Sequence, residues 1–133
     1  MIKFRRRRNK HNNRKVEFDG YTFDSVAECA RYKVLKLREK AGEIFELNVH
    51  PKYILQEKFR SKTYKYPSSD PEKDIAIRAI THIPDFEYYD YDLKQIVVED
   101  VKGYQTDSHS IKMKLFIKRY PDIRYILYDA KKV

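Results

Sequence analysis

The chain has 133 residues and a formal net charge of +9, and 41% of its residues are hydrophobic. This length fits one compact domain, and the hydrophobic share excludes disorder across most of the chain. Cys29 is the single cysteine, which excludes an intramolecular disulfide and a cysteine-based zinc site. No stretch approaches the roughly 18 to 20 apolar residues that cross a bilayer, so we expect a soluble cytoplasmic protein without a membrane partner.

The basic charge is concentrated at the N-terminus. Residues 1–15 contain eight bases and no acid, and the other 29 − 8 = 21 bases stand against 20 acids, a net charge of +1. This composition predicts a flexible, disordered basic arm before one folded domain over 16–133. Such arms bind phosphate backbones through counterion release, so nucleic acid is the expected partner. A localisation signal or a solvating tail remain alternatives. The expected contact residues are Arg5, Arg6, Arg7 and Arg8.

The first predicted element is a helix over residues 25–41. Val26, Ala30, Val34 and Leu37 recur at helical spacing, which predicts that they form the buried stripe, and Gly42 supplies a stop signal. We expect Val16 to Phe23 to form a short entry strand or turn before this helix.

Strands are predicted after Gly42. The stretch from Ile44 to Leu55 is expected to be extended and broken near His50-Pro51, and 58–66 is a candidate continuation of the sheet. A loop over 67–71 precedes a long predicted strand over 75–89. A turn over 89–94 and a strand over 95–102 complete a predicted hairpin.

The C-terminal part predicts a helix over 110–119 and a last strand over 123–128. The order of helix, several strands, helix and strand indicates an α/β fold around one mixed central sheet flanked by helices.

An acidic block is the first chemical signal. Nine acids lie between residues 70 and 100, in a chain whose arm is basic. Carboxylates near a nucleic acid repel it unless a cation lies between them and the phosphate. Hard divalent ions such as Mg²⁺ take oxygen ligands of this kind.

The predicted strand over 95–102 contains the second signal. Side chains alternate between the faces of a strand, so Asp100 and Lys102 share one face and Glu99 points to the other. Pro84-Asp85 lies on the neighbouring strand of the hairpin, which is expected to bring Asp85 beside Asp100. A carboxylate that holds a metal and a nearby ammonium together can orient a water and offset charge on a phosphate. The structural alternatives are a surface pair for Asp100 and Lys102 and a turn start for Asp85.

These residues resemble a known signature. The segments 83–86 and 98–103 read IPDF and VEDVKG and are similar to the PD-(D/E)XK nuclease motif. The segment 21–28, YTFDSVAE, with GEI at 42–44, resembles small phage-encoded members of that superfamily. The resemblance implies a restriction-endonuclease-like αβββαβ core and hydrolysis of phosphodiester bonds.

The resemblance also implies roles for single residues. Asp85, Asp100 and the Val101 carbonyl would bind Mg²⁺ or Mn²⁺, and Lys102 would position or activate a water. Glu28 would hold metal-bound water or a second ion. Ser25-Val26-Ala27-Glu28 also fits a capping box, in which Glu28 satisfies the helix N-terminus instead.

Other polar residues are further candidates. Glu99 is interpreted as an acid that faces solvent or that supports the metal ligands without touching the metal. Gln105 and Thr106 are candidates for a phosphate or metal-water contact, and the three histidines at 50, 82 and 109 lack metal-ligand spacing, although His82 precedes the PD motif. The basic residues of the second helix are expected to contact the DNA backbone, with a solvated face as the alternative; they are Lys112, Lys114, Lys118 and Arg119.

Two functions follow as hypotheses. The first is a metal-dependent DNA endonuclease that acts on branched or recombining DNA, in the manner of a Holliday-junction resolvase, as a homodimer and without a small-molecule cofactor. This substrate is an analogy with small basic phage nucleases. The second is a non-catalytic nucleic-acid-binding protein that retains the nuclease fold.

Overall fold

The structure is a computed structural model that describes residues 14–132. The four arginines predicted to bind phosphate, Arg5 to Arg8, lie outside the described residues. Two short antiparallel strands, β1 (Val16–Phe18) and β2 (Tyr21–Phe23), precede the first helix and form the predicted entry element. Between residues 14 and 132, no helix is long and apolar enough to cross a membrane.

Helix α1 (Val26–Lys40) begins where the sequence predicts. Ser25 caps it, because its hydroxyl accepts a hydrogen bond from the Glu28 N–H at 3.1 Å. The Glu28 carboxylate in turn accepts from the Asp24 N–H at 3.2 Å, so the reciprocal bonds of a capping box are present, shifted by one residue. Gly42, with φ +78°, follows the helix in the left-handed conformation that glycine adopts without strain.

The predicted buried stripe of α1 is wrong. Val26 and Leu37 are 61% and 67% exposed, whereas Tyr32 and Leu35 are buried. Tyr32 lies against the rings of Phe23 and Phe86, so large aromatic contacts decide which face packs on the core. Glu28 is on this buried face.

A long excursion separates the first sheet strand from the hairpin. After β3 (Ile44–Val49), the strands pair as two ribbons, β4 with β7 and β5 with β6. The predicted long strand over 75–89 is therefore wrong, because it is three strands. The ladder is interrupted at 83–85, where Pro84 has no N–H to donate. The bounds are β4 (Tyr53–Gln56), β5 (Phe59–Ser61), β6 (Ile75–Ile77) and β7 (Ile80–His82).

The central sheet has four strands in the order β10-β9-β8-β3. The predicted hairpin is confirmed as β8 (Phe86–Asp90) and β9 (Gln95–Lys102), which pair antiparallel. β10 (Arg124–Asp129) pairs parallel to β9, and α2 (Asp107–Arg119) is the crossover between them. The sheet is thus mixed and the fold is α/β, as predicted.

Helix α2 begins three residues earlier than predicted. Thr106 caps it, because its hydroxyl accepts from the His109 N–H at 3.1 Å. The first turn of α2 therefore includes His109, which lies just before the predicted start of the helix at residue 110.

The two faces of β9 pack on different helices. Val97 and Val101 belong to a core cluster with Tyr32 and Leu35 of α1, and Val98 packs with Phe116 of α2. Because successive side chains of β9 point to opposite faces of the sheet, the adjacent acids Glu99 and Asp100 lie on opposite sides.

Candidate functional site

Asp85 is fixed where the PD segment joins the hairpin. Its N–H lies 3.0 Å from the Glu99 carbonyl oxygen and 3.1 Å from Asp100 Oδ1. Its own Oδ2 accepts from the Val101 N–H at 2.7 Å. The two strands therefore bring Asp85 beside Asp100, as predicted, and hold the Asp85 side chain against the backbone of β9.

Glu28 reaches the same place from α1. Its Oε1 lies 2.6 Å from Nε2 of His50, the residue that follows β3. One ligand-type atom from each of Glu28, His50 and Asp85 lies within 4.8 Å of the others. His50 has φ +53°, a left-handed conformation uncommon for residues other than glycine, and its N–H donates to the Asp85 carbonyl at 2.9 Å.

A cavity of about 550 Å³ opens beside these acids. Glu28 and Asp85 line it from the α1 side, and Val101 and Lys102 line it from the end of β9. Arg14 also borders it. Three of the predicted catalytic residues, Glu28, Asp85 and Lys102, thus surround one cavity.

Nearby positive charge only partly offsets the burial of the carboxylates at this cavity. Burial first, and then repulsion from Glu28 and Asp100, raise the pKa of Asp85 to about 8, against the smaller opposing effects of the Val101 N–H and Lys102. Burial also raises the pKa of Glu28, against a hydrogen bond from His50. A divalent cation would supply the missing positive charge, and the oxygen donors fit Mg²⁺ or Mn²⁺.

Asp100 has different surroundings. It is fully buried, it does not line the cavity, and its Oδ2 receives the Tyr125 hydroxyl, His109 Nε2 at 2.9 Å and His82 Nε2 at 3.2 Å. Burial acts to raise its pKa, but hydrogen bonds from His82, Tyr125 and His109 outweigh burial and lower that pKa. Only Oδ1 of Asp100 faces Asp85.

Glu99 points away from Asp100, as predicted, but its interpretation as a solvent-side acid is wrong. It is fully buried on the α1 side, where Arg31 forms a bidentate ion pair with it at 2.7 and 2.9 Å. The Tyr88 hydroxyl also donates to it. This pairing explains how β9 tolerates a second buried acid.

In the loop before α2, Gly103 and Tyr104 line the cavity, but Gln105 and Thr106 do not. The Thr106 hydroxyl caps α2, and Gln105 Nε2 lies 3.7 Å from Met113 Sδ. Gln105 instead lines a neighbouring cavity together with Lys102. A contact of either residue with phosphate or metal-bound water remains a prediction.

The basic residues of α2 are only partly available for DNA. Lys114 and Lys118 are exposed and Lys112 is half-buried. Arg119 donates to the Leu55 carbonyl and to Glu57, both at 3.2 Å. Contact of the three lysines with a DNA backbone remains a prediction, and Arg119 already has protein partners.

Sequence reasoning missed the histidines and Tyr125. Their spacing along the chain is not that of a metal site, yet the fold gathers His82 and His109 around Asp100 and places His50 beside Glu28. Each comes from a different element, so only the pairing of strands and the start of α2 bring them together. The one signal in the sequence was the position of His82 before the PD motif.

The comparisons with known proteins give a family and no activity. A family model described as "Protein of unknown function (DUF1064)" matches residues 8–132. No curated protein and no solved structure matches the chain. The family match covers nearly all of the described fold, including both helices and every strand of the central sheet.

Proposed function

The chain belongs to the DUF1064 family, and because the function of that family is unknown, we propose from the site itself that this protein is a divalent-metal-dependent DNA endonuclease. The observation that carries the proposal is the cavity that Glu28, Asp85 and Lys102 surround. Two acids whose pKa is raised, beside one lysine, match the donor set of a metal-dependent phosphodiesterase.

The order of elements supports a restriction-endonuclease-like core. With the β4–β7 excursion set aside, the chain runs α1, β3, β8, β9, α2, β10. This is the αβββαβ order that the PD-(D/E)XK resemblance implies. The PD segment and the DxK strand are hydrogen-bonded neighbours within it.

Glu28 and Asp85 would hold Mg²⁺ or Mn²⁺, with the Val101 carbonyl and Oδ1 of Asp100 as further oxygen donors. The bound ion would polarise a phosphoryl oxygen and offset the charge that develops on it. Hydrogen bonds already orient both acids, because the Val101 N–H donates to Asp85 and the Asp24 N–H donates to Glu28.

Lys102 has the second role. Lys102, at the end of β9, lines the same cavity as Asp85, where its ammonium group would attract a phosphate and orient the attacking water. Asp100 would act mainly on Asp85, by accepting its N–H. This gives Asp100 a smaller direct share in metal binding than the sequence alone predicts.

DNA is the substrate that the charge distribution favours. The basic residues before the domain and the exposed lysines of α2 would contact phosphates without reading bases. Branched or recombining DNA and action as a homodimer belong to this proposal and rest on the resemblance alone.

One observation favours the second function, a nucleic-acid-binding protein without catalysis. Asp100 lies outside the cavity lining, and three side chains occupy its Oδ2. If that arrangement persists with metal present, the cavity lacks one of the acids that the PD-(D/E)XK signature supplies.

The test is a cleavage assay on supercoiled, single-stranded and four-way-junction DNA, with Mg²⁺, with Mn²⁺ and with chelator. We expect metal-dependent cleavage by the wild type and by Asp92→Asn, a control at an exposed acid of the β8–β9 turn. We expect DNA binding without cleavage by Asp85→Asn. Binding without cleavage by the wild type on all three substrates would favour the non-catalytic function.

A further inference from the structure

We propose that His82, Asp100, His109 and Tyr125 form a second metal site, which takes a transition-metal dication of the zinc class. This site lies on the α2 side of the sheet, whereas the cavity described above lies on the α1 side. The proposal does not depend on the endonuclease function, since it rests on different donor atoms and a different ion.

Four donor atoms converge at this point from four elements. His82 ends β7, Asp100 is in β9, His109 is in the first turn of α2 and Tyr125 is in β10. Nε2 of each histidine and one Asp100 oxygen lie within 4.8 Å of one another. The Tyr125 hydroxyl lies 2.9 Å from His82 Nε2 and 3.5 Å from His109 Nε2.

The spacing of these atoms suits a tetrahedral ion. Zinc bonds of about 2.0 to 2.1 Å place neighbouring ligand atoms about 3.3 Å apart. The distances from Asp100 Oδ2 to His82 Nε2 and His109 Nε2 are 3.2 and 2.9 Å, close to that value. The Tyr125 hydroxyl lies closer to Asp100 Oδ2 than two ligand atoms of a tetrahedral zinc site do. A side-chain rotation would have to separate these two oxygens when the ion binds.

The hydrogen bonds of this cluster are crowded on one atom. Oδ2 of Asp100 has two lone pairs and lies within hydrogen-bond distance of three polar atoms, the Tyr125 hydroxyl and Nε2 of both histidines, while Oδ1 accepts from one N–H. Three polar atoms this close outnumber the lone pairs of the one oxygen. A cation among the four atoms would instead bind lone pairs from each of them.

His109 adds an independent observation. Among residues 14–132, its Nδ1 is the single buried side-chain nitrogen or oxygen without a hydrogen-bond partner. The ring is therefore positioned through Nε2, the atom that faces Asp100. Nε2 is thus the nitrogen through which this buried imidazole contacts both Asp100 and Tyr125.

The chemistry of the donors selects the ion. Imidazole nitrogens suit zinc and cobalt, whereas Mg²⁺ prefers oxygen ligands and retains water. The side chains of His82, Asp100 and His109 are 6%, 0% and 10% exposed, and the Phe116 ring lies against His82 and Tyr125. This burial leaves little room for substrate, so the ion would tie α2 and β7 to the central sheet.

The first experiment uses the full wild-type chain, stripped with chelator and titrated with Zn²⁺ and with Co²⁺. We expect about one tightly bound Zn²⁺ per chain, a rise in melting temperature, and the visible absorption of tetrahedral Co²⁺. Bound Zn²⁺ is measured by elemental analysis and Co²⁺ by its spectrum. Failure of the wild type to bind either ion would overturn the proposal without any variant.

Variants then locate the ion. His82→Gln and His109→Gln should each weaken Zn²⁺ binding by at least about 100-fold, since loss of a direct ligand should cost no less than loss of an outer partner. Tyr125→Phe should retain the ring packing and shift the Co²⁺ spectrum. Circular dichroism checks that each variant is folded.

The matched controls are His50→Gln and Asp85→Asn, which alter the cavity on the α1 side. Zn²⁺ binding should persist in both. If these two variants lose Zn²⁺ and the His82 and His109 variants retain it, the ion belongs to the first cavity and the proposal fails. The Zn²⁺ measurements do not depend on the cleavage assays. A protein without nuclease activity would still bind Zn²⁺ if this proposal is right.

Discussion

Asp85 and Asp100 are joined by a hydrogen bond, yet their electrostatic surroundings are opposite. Asp85 borders an open cavity with Glu28, and its pKa is raised to about 8 by burial and by the neighbouring acids. Asp100 lies on the α2 side, where burial also acts against its charge, but hydrogen bonds from His82, Tyr125 and His109 lower its pKa. The groups around Asp85 do not offset its burial, whereas the hydrogen bonds around Asp100 more than offset its burial.

If both proposed sites bind metal, this difference in surroundings decides which kind of cation each site takes. Carboxylate oxygens around an open cavity favour a hard ion, and a carboxylate among imidazoles favours a borderline one. Glu99 is a third case on the same strand, fully compensated by Arg31. Substitutions that affect Asp85, Asp100 and Glu99 should therefore change stability and metal dependence in three different ways.

The largest effect is expected at Asp85. Asp85→Asn should reduce cleavage on the order of 1,000-fold or more, because a metal ligand and its charge are lost. In metal-free buffer the same variant should be more stable than the wild type, because an uncompensated buried acid is removed. Single-turnover cleavage and urea unfolding measure the two effects.

Asp100→Asn is the paired variant. It should lower stability by about 1 to 3 kcal/mol, because donors of His82, His109 and Tyr125 lose a charged acceptor. Equal destabilisation by both substitutions would contradict the contrast between the two sites.

The Arg31–Glu99 pair gives the next largest effect. Arg31→Met leaves Glu99 buried without its cation, which should cost about 3 to 5 kcal/mol of unfolding free energy. Cleavage per folded molecule should change little, since neither side chain lines the cavity. Lys36→Met, at the more exposed pair with Glu39, is the control and should cost less than about 1 kcal/mol. A large loss of cleavage in folded Arg31→Met would assign Glu99 to the chemistry.

Substitution of Lys102 separates metal binding from the cleavage step at the cavity. Lys102→Ala should lower the cleavage rate about 100-fold while Mg²⁺ still binds, because the acids remain. Lys102→Arg should rescue poorly, since the guanidinium is bulkier and stays protonated. Calorimetry with Mg²⁺ beside single-turnover cleavage tests both statements. Wild-type cleavage by Lys102→Ala would remove the DxK pair from the site.

Much of the fold follows from local sequence patterns. The cap of α1 at Ser25, the hairpin and the opposite orientations of Glu99 and Asp100 all depend on short-range rules, and the structure agrees with them. The buried face of α1 did not follow, because Tyr32 packs both on Phe23, just before the helix, and on Phe86, more than 50 residues further along the chain. The spacing of the aliphatic residues alone indicated a face of α1 that is largely exposed in the structure.

The site was predictable where it depends on the hairpin. Asp85 lies beside Asp100 because two adjacent strands pair, which the motif and the turn indicate together. The environment of Asp100 was not predictable, because His82 follows an irregular excursion and His109 lies in a turn of α2 that begins early. Charge compensation at a buried acid depends on such long-range neighbours.

The smallest expected effect is a pH dependence of stability in metal-free protein. The pKa of Asp85 is raised to about 8 and that of Glu28 is also raised, so between about pH 4 and pH 8 the folded state binds more protons than the unfolded state. The free energy of unfolding should therefore fall as pH rises through this window. Because Asp85 borders an open cavity that water screens, we expect a fall on the order of 1 to 2 kcal/mol.

Two conditions should flatten this slope. Mg²⁺ should do so by favouring the ionised acids, and Asp85→Asn should do so by removing the titrating group. Asp100 has a lowered pKa, so its own contribution is lost only in more acidic solution. Asp100→Asn should reduce the slope between pH 4 and pH 8 less than Asp85→Asn does, because it removes only the repulsion that Asp100 exerts on Asp85. Urea unfolding at several pH values, with and without Mg²⁺, measures these slopes. If the fall of unfolding free energy with pH persists in Asp85→Asn, or if Mg²⁺ leaves it unchanged, other charges already compensate the acids of the cavity and these acids do not form a cation site.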